Sequence, residues 1–313
     1  MGWDVEVVRE LTDPRGEVLA LSWSPRGDWL AASYSYGAVK LFDTETFRLN
    51  KLFSMRSVTT MPFTSLCWEP LKSSRLLAVS ADAHIGIWDA ESGALVKAGT
   101  LPVEQGLCCD IAPDGEVFAV GTNAAAVVIT NTRTMQTVTM MTPGHDTRKG
   151  HTSRVMAVKW VRKDVLLSAG WDCVVFLWDV TSNTVIKSFY RAFVCGAALD
   201  TCGSEALVGS YDRKEQIQVY DYFTSEARTV LSLTEDTNGK VLACQFSRAD
   251  EGKLTATVGD RVRVYDSASF ELVYRDEPEE FNWFACDWAR QELLLAAGSA
   301  GGTIQVLEFT KLT

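Results

Sequence analysis

Short runs of apolar residues, each followed by a turn, repeat along the chain. The clearest copies of this pattern lie at residues 18–43, 63–89 and 155–179. Each copy holds three apolar runs separated by Gly, Pro, Asp or Ser. Runs this short, bounded by turn residues, predict β-strands rather than helices. The chain is therefore predicted to be all-β.

Four weaker copies bring the number of repeats to seven. The third apolar runs end near Asp43, Asp89, Asn131, Asp179, Asp221, Asp266 and Glu308. Successive ends are separated by 46, 42, 48, 42, 45 and 42 residues. A nearly constant period of this length indicates stacked structural repeats. We therefore expect a single repeat domain over residues 1–313.

A repeat of about 40–45 residues that closes with Trp-Asp resembles the WD40 family, whose repeats fold as four-stranded propeller blades. Trp88-Asp89 and Trp178-Asp179 carry this signature. The resemblance implies a single seven-bladed WD40 β-propeller. It also implies a buried hydrogen-bonded tetrad in the fourth repeat, formed by His151, Ser168, Asp172 and Trp178. The other repeats depart from the tetrad, so we expect them to depend more on apolar packing.

The N-terminal segment is expected to close the ring. Residues 3–11 alternate apolar with polar over most of their length, as a half-buried strand does. The seventh repeat ends soon after its third predicted strand, over residues 303–309. An open row of blades would leave exposed sheet edges. Residues 3–11 are therefore predicted to supply the missing outer strand of blade seven.

Composition and charge narrow the function. Lys and Arg number 30 against 40 Asp and Glu, a formal net charge of −10, which argues against a general nucleic-acid binder. No apolar run approaches the roughly 18 residues that span a bilayer. The N-terminus lacks a signal peptide, so we expect residence in the cytoplasm or nucleus rather than secretion. Eight cysteines without a Cys-x-x-Cys pair indicate free thiols and no zinc site.

Catalytic and cofactor motifs are missing from the sequence, and no cofactor is expected. His145, Asp146 and His151 could be read as metal ligands, but His151 is already assigned to the tetrad and no metal is predicted. A propeller enzyme with carboxylates in its central channel is a second alternative. The residues expected along that channel are largely Ala, Leu, Val, Cys and Met, which disfavours it. We expect a non-catalytic scaffold for protein–protein interaction, acting as a subunit of a larger complex.

The WD40 resemblance places partner contacts on the face built by the loops that enter each blade. We count positions from the first-strand residues equivalent to Trp, which are Trp23, Trp68, Ile111, Trp160, Leu199, Phe246 and Trp288. Residues six or four positions earlier, and those that precede the tight-turn Asp, should lie on this face. The candidates are Thr64, Leu107, Arg154, Met156, Trp171, Phe193, Tyr211, Lys240, Asn282 and Phe284. Large aromatic residues in turns are typical of interface anchors.

The loop before the seventh repeat adds acidic and aromatic candidates. Glu279, Glu280 and Trp283 lie in the segment 276–284, and Glu235 and Asp236 would extend an acidic rim. The predicted partner is a protein, recognised through a short basic or aromatic-anchored peptide, and the propeller is expected to be a monomer within a hetero-complex. The alternative is RNA binding by base stacking on Trp171, Tyr211 and Trp283. The net negative charge makes nucleic acid the less favoured ligand.

Overall fold

The computed structural model describes residues 2–72, 74–144, 149–190, 192–224, 226–233, 240–277 and 280–312. Within these ranges the chain forms strands, turns and loops, and no helix that could cross a bilayer is found. The strands are β1 (Trp3–Thr12), β2 (Val18–Trp23), β3 (Trp29–Tyr34), β4 (Ala38–Asp43), β5 (Leu49–Phe53), β6 (Phe63–Trp68), β7 (Arg75–Ser80), β8 (His84–Asp89), β9 (Leu95–Thr100), β10 (Gly106–Ile111), β11 (Val117–Thr122), β12 (Val127–Asn131), β13 (Thr137–Met141) and β14 (Val155–Arg162). They continue with β15 (Val165–Gly170), β16 (Val174–Asp179), β17 (Thr184–Tyr190), β18 (Leu199–Cys202), β19 (Glu205–Gly209), β20 (Ile217–Asp221), β21 (Ala227–Leu231), β22 (Val241–Phe246), β23 (Leu254–Gly259), β24 (Val262–Asp266), β25 (Leu272–Arg275), β26 (Trp283–Trp288), β27 (Leu294–Ser299) and β28 (Thr303–Lys311).

These strands form seven four-stranded antiparallel sheets in the described part of the chain. Blades one to six each use four consecutive strands, from β2–β5 to β22–β25, and blade seven contains β26, β27, β28 and β1. The first strands contact one another in the order β2, β6, β10, β14, β18, β22, β26 and back to β2. This cyclic order makes the fold a seven-bladed β-propeller, as the repeat predicted.

The N-terminal strand closes the ring. Strand β1 pairs antiparallel with β28, from Trp3 opposite Lys311 to Thr12 opposite Thr303, with one irregularity between Val7 and Arg9. Its burial alternates over much of its length, so that Trp3 and Val5 pack on the blade-seven core. Closure from the N-terminus is therefore confirmed. Pairing with β1 also extends the third strand of blade seven beyond the predicted residues 303–309.

The polar residues that end the repeats have a local structural reason. In blades one, two, four, five and six the third strand ends at an Asp, and in blade three it ends at Asn131. The Asp89 carboxylate accepts hydrogen bonds from the backbone N–H and the hydroxyl of Ser92, at 2.8 and 2.7 Å. Asn131 makes the same contact to the backbone N–H of Thr134, at 2.9 Å. Each side-chain oxygen thus accepts a hydrogen bond from the backbone N–H three residues later, and this contact starts a tight turn.

The apolar core lies between neighbouring blades. One cluster joins Cys108 and Ile129 of blade three to Trp160, Leu166 and Trp178 of blade four. A corresponding cluster packs blade one against blade seven. Because each sheet buries both faces except near its outer strand, its middle strands read as continuous apolar runs in the sequence. This packing holds the loops at fixed positions around the ring.

Candidate functional site

The fourth blade contains a buried chain of polar contacts among the four tetrad side chains. His151 lies with Nδ1 2.8 Å from an Asp172 carboxylate oxygen and Nε2 2.7 Å from the Ser168 hydroxyl. The indole N–H of Trp178 donates to the same hydroxyl at 2.7 Å. With Nδ1 protonated, each polar atom finds a partner, because His151 donates to Asp172 and Ser168 donates to His151. The network satisfies polar groups that would otherwise be buried unpaired.

This network fixes the entry loop of blade four to the turn between its second and third strands. The backbone N–H of Thr152 also donates to Asp172, at 2.9 Å. Burial opposes ionisation of Asp172, but the hydrogen bond and charge of His151, together with the backbone N–H groups of Thr152 and Val174, outweigh it and hold the pKa of the carboxyl below its ordinary value. Trp171 immediately precedes Asp172 in the chain, so the tetrad positions the Trp171 backbone.

Blade one uses a different polar network, which the sequence analysis did not foresee. Asp13 and Lys40 are both buried, and the Lys40 ammonium donates to Asp13 at 2.6 Å. The Tyr36 hydroxyl and the Arg15 guanidinium also donate to Asp13, each at 2.8 Å. Arg15 contributes most to a strong lowering of the Asp13 pKa. Blade one, which lacks the tetrad, thus has a polar network of its own in addition to its apolar core.

Three aromatic side chains meet where blades four and five adjoin. We call Trp171, Phe193 and Tyr211 the aromatic patch. The centroids of the Trp171 and Phe193 rings are 6.1 Å apart, and those of Phe193 and Tyr211 are 6.3 Å apart. Arg154 lies over the Trp171 ring at 4.9 Å, and Lys240 lies over the Tyr211 ring at 4.4 Å. The Trp171 side chain is 40% exposed, whereas Phe193 and Tyr211 are half-buried.

Backbone hydrogen bonds between entry loops and turns build this arrangement. The Trp171 N–H donates to the Arg154 carbonyl at 3.1 Å, and the Tyr211 N–H donates to the Phe193 carbonyl at 2.8 Å. Phe193 therefore occupies in blade five the position of Arg154 in blade four. The five side chains come from different segments of blades four, five and six, and the packing of these neighbouring blades brings them together.

The reference residue used for blade five is corrected by the strand register. Thr201 pairs with Ala206, which pairs with Tyr220. Trp160 holds the same place in blade four, opposite Leu166 and then Trp178. The Trp-equivalent of blade five is thus Thr201 and not Leu199. Blade five has two more residues than blade four between the entry loop and its Trp-equivalent. Phe193 therefore still lies on the loop face, although it was counted from the wrong reference residue.

Trp283 does not belong to the surface. Its side chain is fully buried in the core of blade seven, with 0% exposure. It lies five positions before Trp288, as the buried Phe63 lies five before Trp68 and Val155 five before Trp160. The prediction that Trp283 contacts a partner or stacks on a base is therefore wrong. The repeated spacing of five residues was the sequence signal that indicates a core position.

The other candidates near blade seven divide between the surface and the central channel. Glu280 and Asn282 are exposed, and the neighbouring Phe281 is 47% exposed. Glu279 lies outside the described residues, as do Glu235, Asp236, His145 and Asp146. Phe284 lines the central channel, as does Met156 of blade four.

The central channel encloses a cavity of about 920 Å³ and has two different rings of side chains. The residues four positions before each Trp-equivalent form a mostly apolar ring, which consists of Leu19, Thr64, Leu107, Met156, Ala197, Leu242 and Phe284. The residues one position before it are more polar, and Asp110, Lys159, Gln245 and Asp287 among them line the cavity, whereas Asp200 is fully buried in its wall. The sequence analysis, which expected largely Ala, Leu, Val, Cys and Met along the channel, thus missed this more polar ring.

The channel carboxylates join neighbouring blades. Asp110 accepts from the backbone N–H of Trp160 at 2.8 Å, and Asp287 accepts from that of Trp23 at 2.6 Å. Asp200 accepts from the N–H of Phe246 at 2.9 Å. Desolvation raises the pKa of Asp110 and of Asp287. One oxygen of each carboxylate is hydrogen-bonded to a backbone N–H of the next blade, so these groups help to hold the ring of blades together.

Asp200 is also the centre of a buried ion cluster. Arg248 donates to its second oxygen at 2.5 Å, and the Lys159 ammonium lies 3.4 Å from the same atom. Desolvation opposes the ionised form, but the charges of Arg248 and Lys159 prevail and lower the Asp200 pKa. The two cations thus compensate a fully buried carboxylate, and Asp110 and Asp287 also attract both of them.

Comparison with known families supports the fold. Residues 3–63 match the family described as the anaphase-promoting complex subunit 4 WD40 domain, and residues 144–179 match the WD domain, G-beta repeat. The second match covers the entry loop of blade four and ends at Asp179.

Similar proteins are known from several organisms. The cell division cycle 20.1 protein of Arabidopsis thaliana, titled a cofactor of the APC complex, is 29% identical over 196 residues, which is 60% of this chain and 40% of that protein. A ribosome biogenesis protein WDR12 homolog of Trichoplax adhaerens is 26% identical over 170 residues, 52% of this chain and 38% of its own length. The human echinoderm microtubule-associated protein-like 3 is 30% identical over 119 residues, 38% of this chain and 12% of that protein. The matched region thus spans two fifths or less of the length of these relatives.

Proposed function

The chain belongs to the WD40-repeat family, and we propose that it acts as a non-catalytic protein-interaction module, a single propeller domain within a larger complex. The proposal places the partner on the loop face, with the aromatic patch as the main contact. Residence in the cytoplasm or nucleus is part of the proposal, as is a monomeric state of the propeller itself. The titles of two relatives name a cofactor of a complex and a ribosome biogenesis protein, and these roles suit a module of this kind.

The proposal rests mainly on the exposure of Trp171, a side chain whose backbone and neighbours are held in place. A large aromatic side chain that is 40% exposed gains little for folding. Trp and Tyr are the residues most enriched among interface hot spots. The tetrad fixes the backbone beside Trp171, and Arg154 lies over its ring. Because the patch is already ordered, binding there would cost little conformational entropy.

The proposal of base stacking on RNA is weakened by the buried position of Trp283, which removes one of its three rings. The channel does not favour catalysis either, since its aspartates hold backbone N–H groups of neighbouring blades. At blade seven the exposed side chains of Glu277, Glu280 and Phe281 form a separate acidic region. There a charge reversal should mainly alter association rate and salt dependence.

The test compares two variants that each remove one exposed aromatic ring. Trp171→Ala removes the centre of the patch, whereas Phe223→Ala removes a ring that is 61% exposed in the turn after the third strand of blade five, on the opposite face. Tagged chains are used to purify partners from cells, and each candidate is then titrated in pure form. We expect Trp171→Ala to weaken the main partner by about 30-fold or more, the range of a hot spot.

Phe223→Ala should leave that affinity unchanged. If the partner is lost with Phe223→Ala and kept with Trp171→Ala, the binding face is the opposite one and the proposal is wrong. Thermal unfolding of both variants accompanies the titration. A Trp171→Ala chain that is destabilised, yet binds normally per folded molecule, would show that the ring belongs to the core.

A further inference from the structure

Two cations flank the aromatic patch, one at each end. Arg154 lies over Trp171 in blade four, and Lys240 lies over Tyr211 at the start of blade six. Lys240 also donates a hydrogen bond to the Tyr211 hydroxyl at 3.0 Å. The side chains therefore form a row that consists of a cation, the three rings of the aromatic patch and a second cation.

The spacing fits one short peptide segment. Successive separations along this row are 4.9, 6.1, 6.3 and 4.4 Å. These steps together set an upper limit on the distance between the two cations, and since a fully extended chain advances by about 3.3–3.6 Å per residue, about six residues or fewer cover it. A single extended segment can therefore touch both of them while its central side chain lies on the rings.

Both charged side chains that lie over the rings in the described part of the chain are positive, although the chain as a whole is acidic. They are Arg154 and Lys240, against a formal net charge of −10. In the turn after Tyr211, Asp212 and Glu215 balance Arg213 and Lys214, so this turn adds no net charge. Asp172 is held by His151 and Thr152 and points into the blade. Since screening limits exposed charges to about 8–10 Å at physiological salt, these cations govern recognition at the patch.

We infer that the partner segment at the aromatic patch is acidic, with an aromatic or aliphatic side chain as its anchor and carboxylates on both sides of it. This inference rests on the proposed function and adds the chemistry of the partner. The anchor packs on Trp171, Phe193 and Tyr211, and the flanking carboxylates pair with Arg154 and Lys240. Both cations are already held over rings, so their ordering costs little on binding.

The experiment selects peptides without assuming a partner. A random heptapeptide library displayed on phage is panned on the full chain at 0.15 M salt, and the bound pool is sequenced. One comparison chain carries Arg154→Glu and Lys240→Glu. Its matched control carries Arg26→Glu and Arg133→Glu, two exposed arginines in turns of the opposite face, which change the net charge by the same amount. An uncharged pair, Arg154→Gln with Lys240→Gln, serves if the reversed pair fails to fold.

We expect the pool to be enriched in Asp and Glu on both sides of an apolar residue. The most enriched peptide, labelled for fluorescence anisotropy, should bind the reversed pair at least about tenfold more weakly and the opposite-face control with unchanged affinity. A neutral or basic pool that still depends on Trp171 would overturn the acidic partner while leaving the proposed function intact. An acidic pool that ignores Trp171 would overturn both. The inference is also wrong if the unmodified chain enriches no peptide beyond the level retained by the chain with Arg154→Glu and Lys240→Glu.

Discussion

Removal of the Asp172 carboxylate should expose how much the tetrad of blade four contributes to stability. In Asp172→Ala the buried Nδ1–H of His151 loses its acceptor, because the imidazole is 1% exposed and water cannot replace the carboxylate. An unsatisfied buried donor costs about 1–3 kcal/mol. The exposed N–H of Thr152 can turn to water and adds little. We therefore expect a loss of about 2 kcal/mol in the free energy of unfolding.

A graded series tests the reasoning. Asp172→Asn keeps one acceptor for His151 and should cost about half as much. Asp82→Ala is the matched substitution in blade two, where the side chain is 34% exposed and accepts from the Thr59 hydroxyl at 2.7 Å. Water reaches that site, so its cost should stay below about 1 kcal/mol. The measurement is urea unfolding followed by circular dichroism, with the slope compared among variants.

The dependence on pH gives a second check. The folded pKa of Asp172 is lowered from 3.8, so the carboxylate contributes stability above that pH and loses it as the pH falls below about 4. The difference between the wild type and Asp172→Ala should thus be constant from pH 7 to pH 5 and narrow near pH 3.5. A folded Asp172→Ala chain with an unchanged urea midpoint at pH 7 would refute the network as a source of stability. If the difference in unfolding free energy between the wild type and Asp172→Ala widens below about pH 4, the ionised Asp172 carboxylate is not the stabilising form.

Three further predictions address the ring, the core and the channel. Deletion of residues 3–11 should expose the edge of β28 and give aggregated protein in size-exclusion chromatography, and a stable monomer would contradict closure by β1. Trp283→Ala should cost about 3–5 kcal/mol in urea unfolding, whereas Trp171→Ala should cost less than about 1 kcal/mol, and equal costs would contradict the burial of Trp283. Asp200→Ala should cost about 2–3 kcal/mol, since it removes the ion-pair partner of Arg248 and Lys159 and the acceptor of the Phe246 N–H, and its loss should fall when Arg248→Met is added; additive losses would contradict the ion cluster.

The amino-acid sequence by itself determined the blades and the closing strand. Local rules suffice for these features, because a strand needs only a short apolar run and a turn signal at each end. The repeat spacing located the ends of the third strands, as at Asp89 and Asp179, where a side-chain oxygen starts the next turn. The alternation in residues 3–11 indicated a half-buried strand. Blade seven lacked an outer strand, so its third strand was the edge with which this segment could pair.

The channel was decided by the tertiary structure. The first strands of six blades contain a register irregularity near their start, as between Val155 and Ala157 in blade four. A bulge of this kind changes which side chains face the channel, so a period of two cannot be counted through it. For this reason Asp110 and Asp287 were missed, whereas Asp200 was missed because Leu199 was taken as the reference residue in place of Thr201.

The aromatic patch depended partly on sequence and partly on packing. Position relative to the turn indicated Trp171 and Tyr211, and a count along the first strand indicated Phe193 through a reference residue that proved to be wrong. Only the docking of blade five on blade four brings the three rings within 6.1 and 6.3 Å beside Arg154, and only the docking of blade six on blade five adds Lys240. These side chains lie far apart in the chain, and no local pattern encodes their distance, because that distance is fixed by how whole blades pack around the ring.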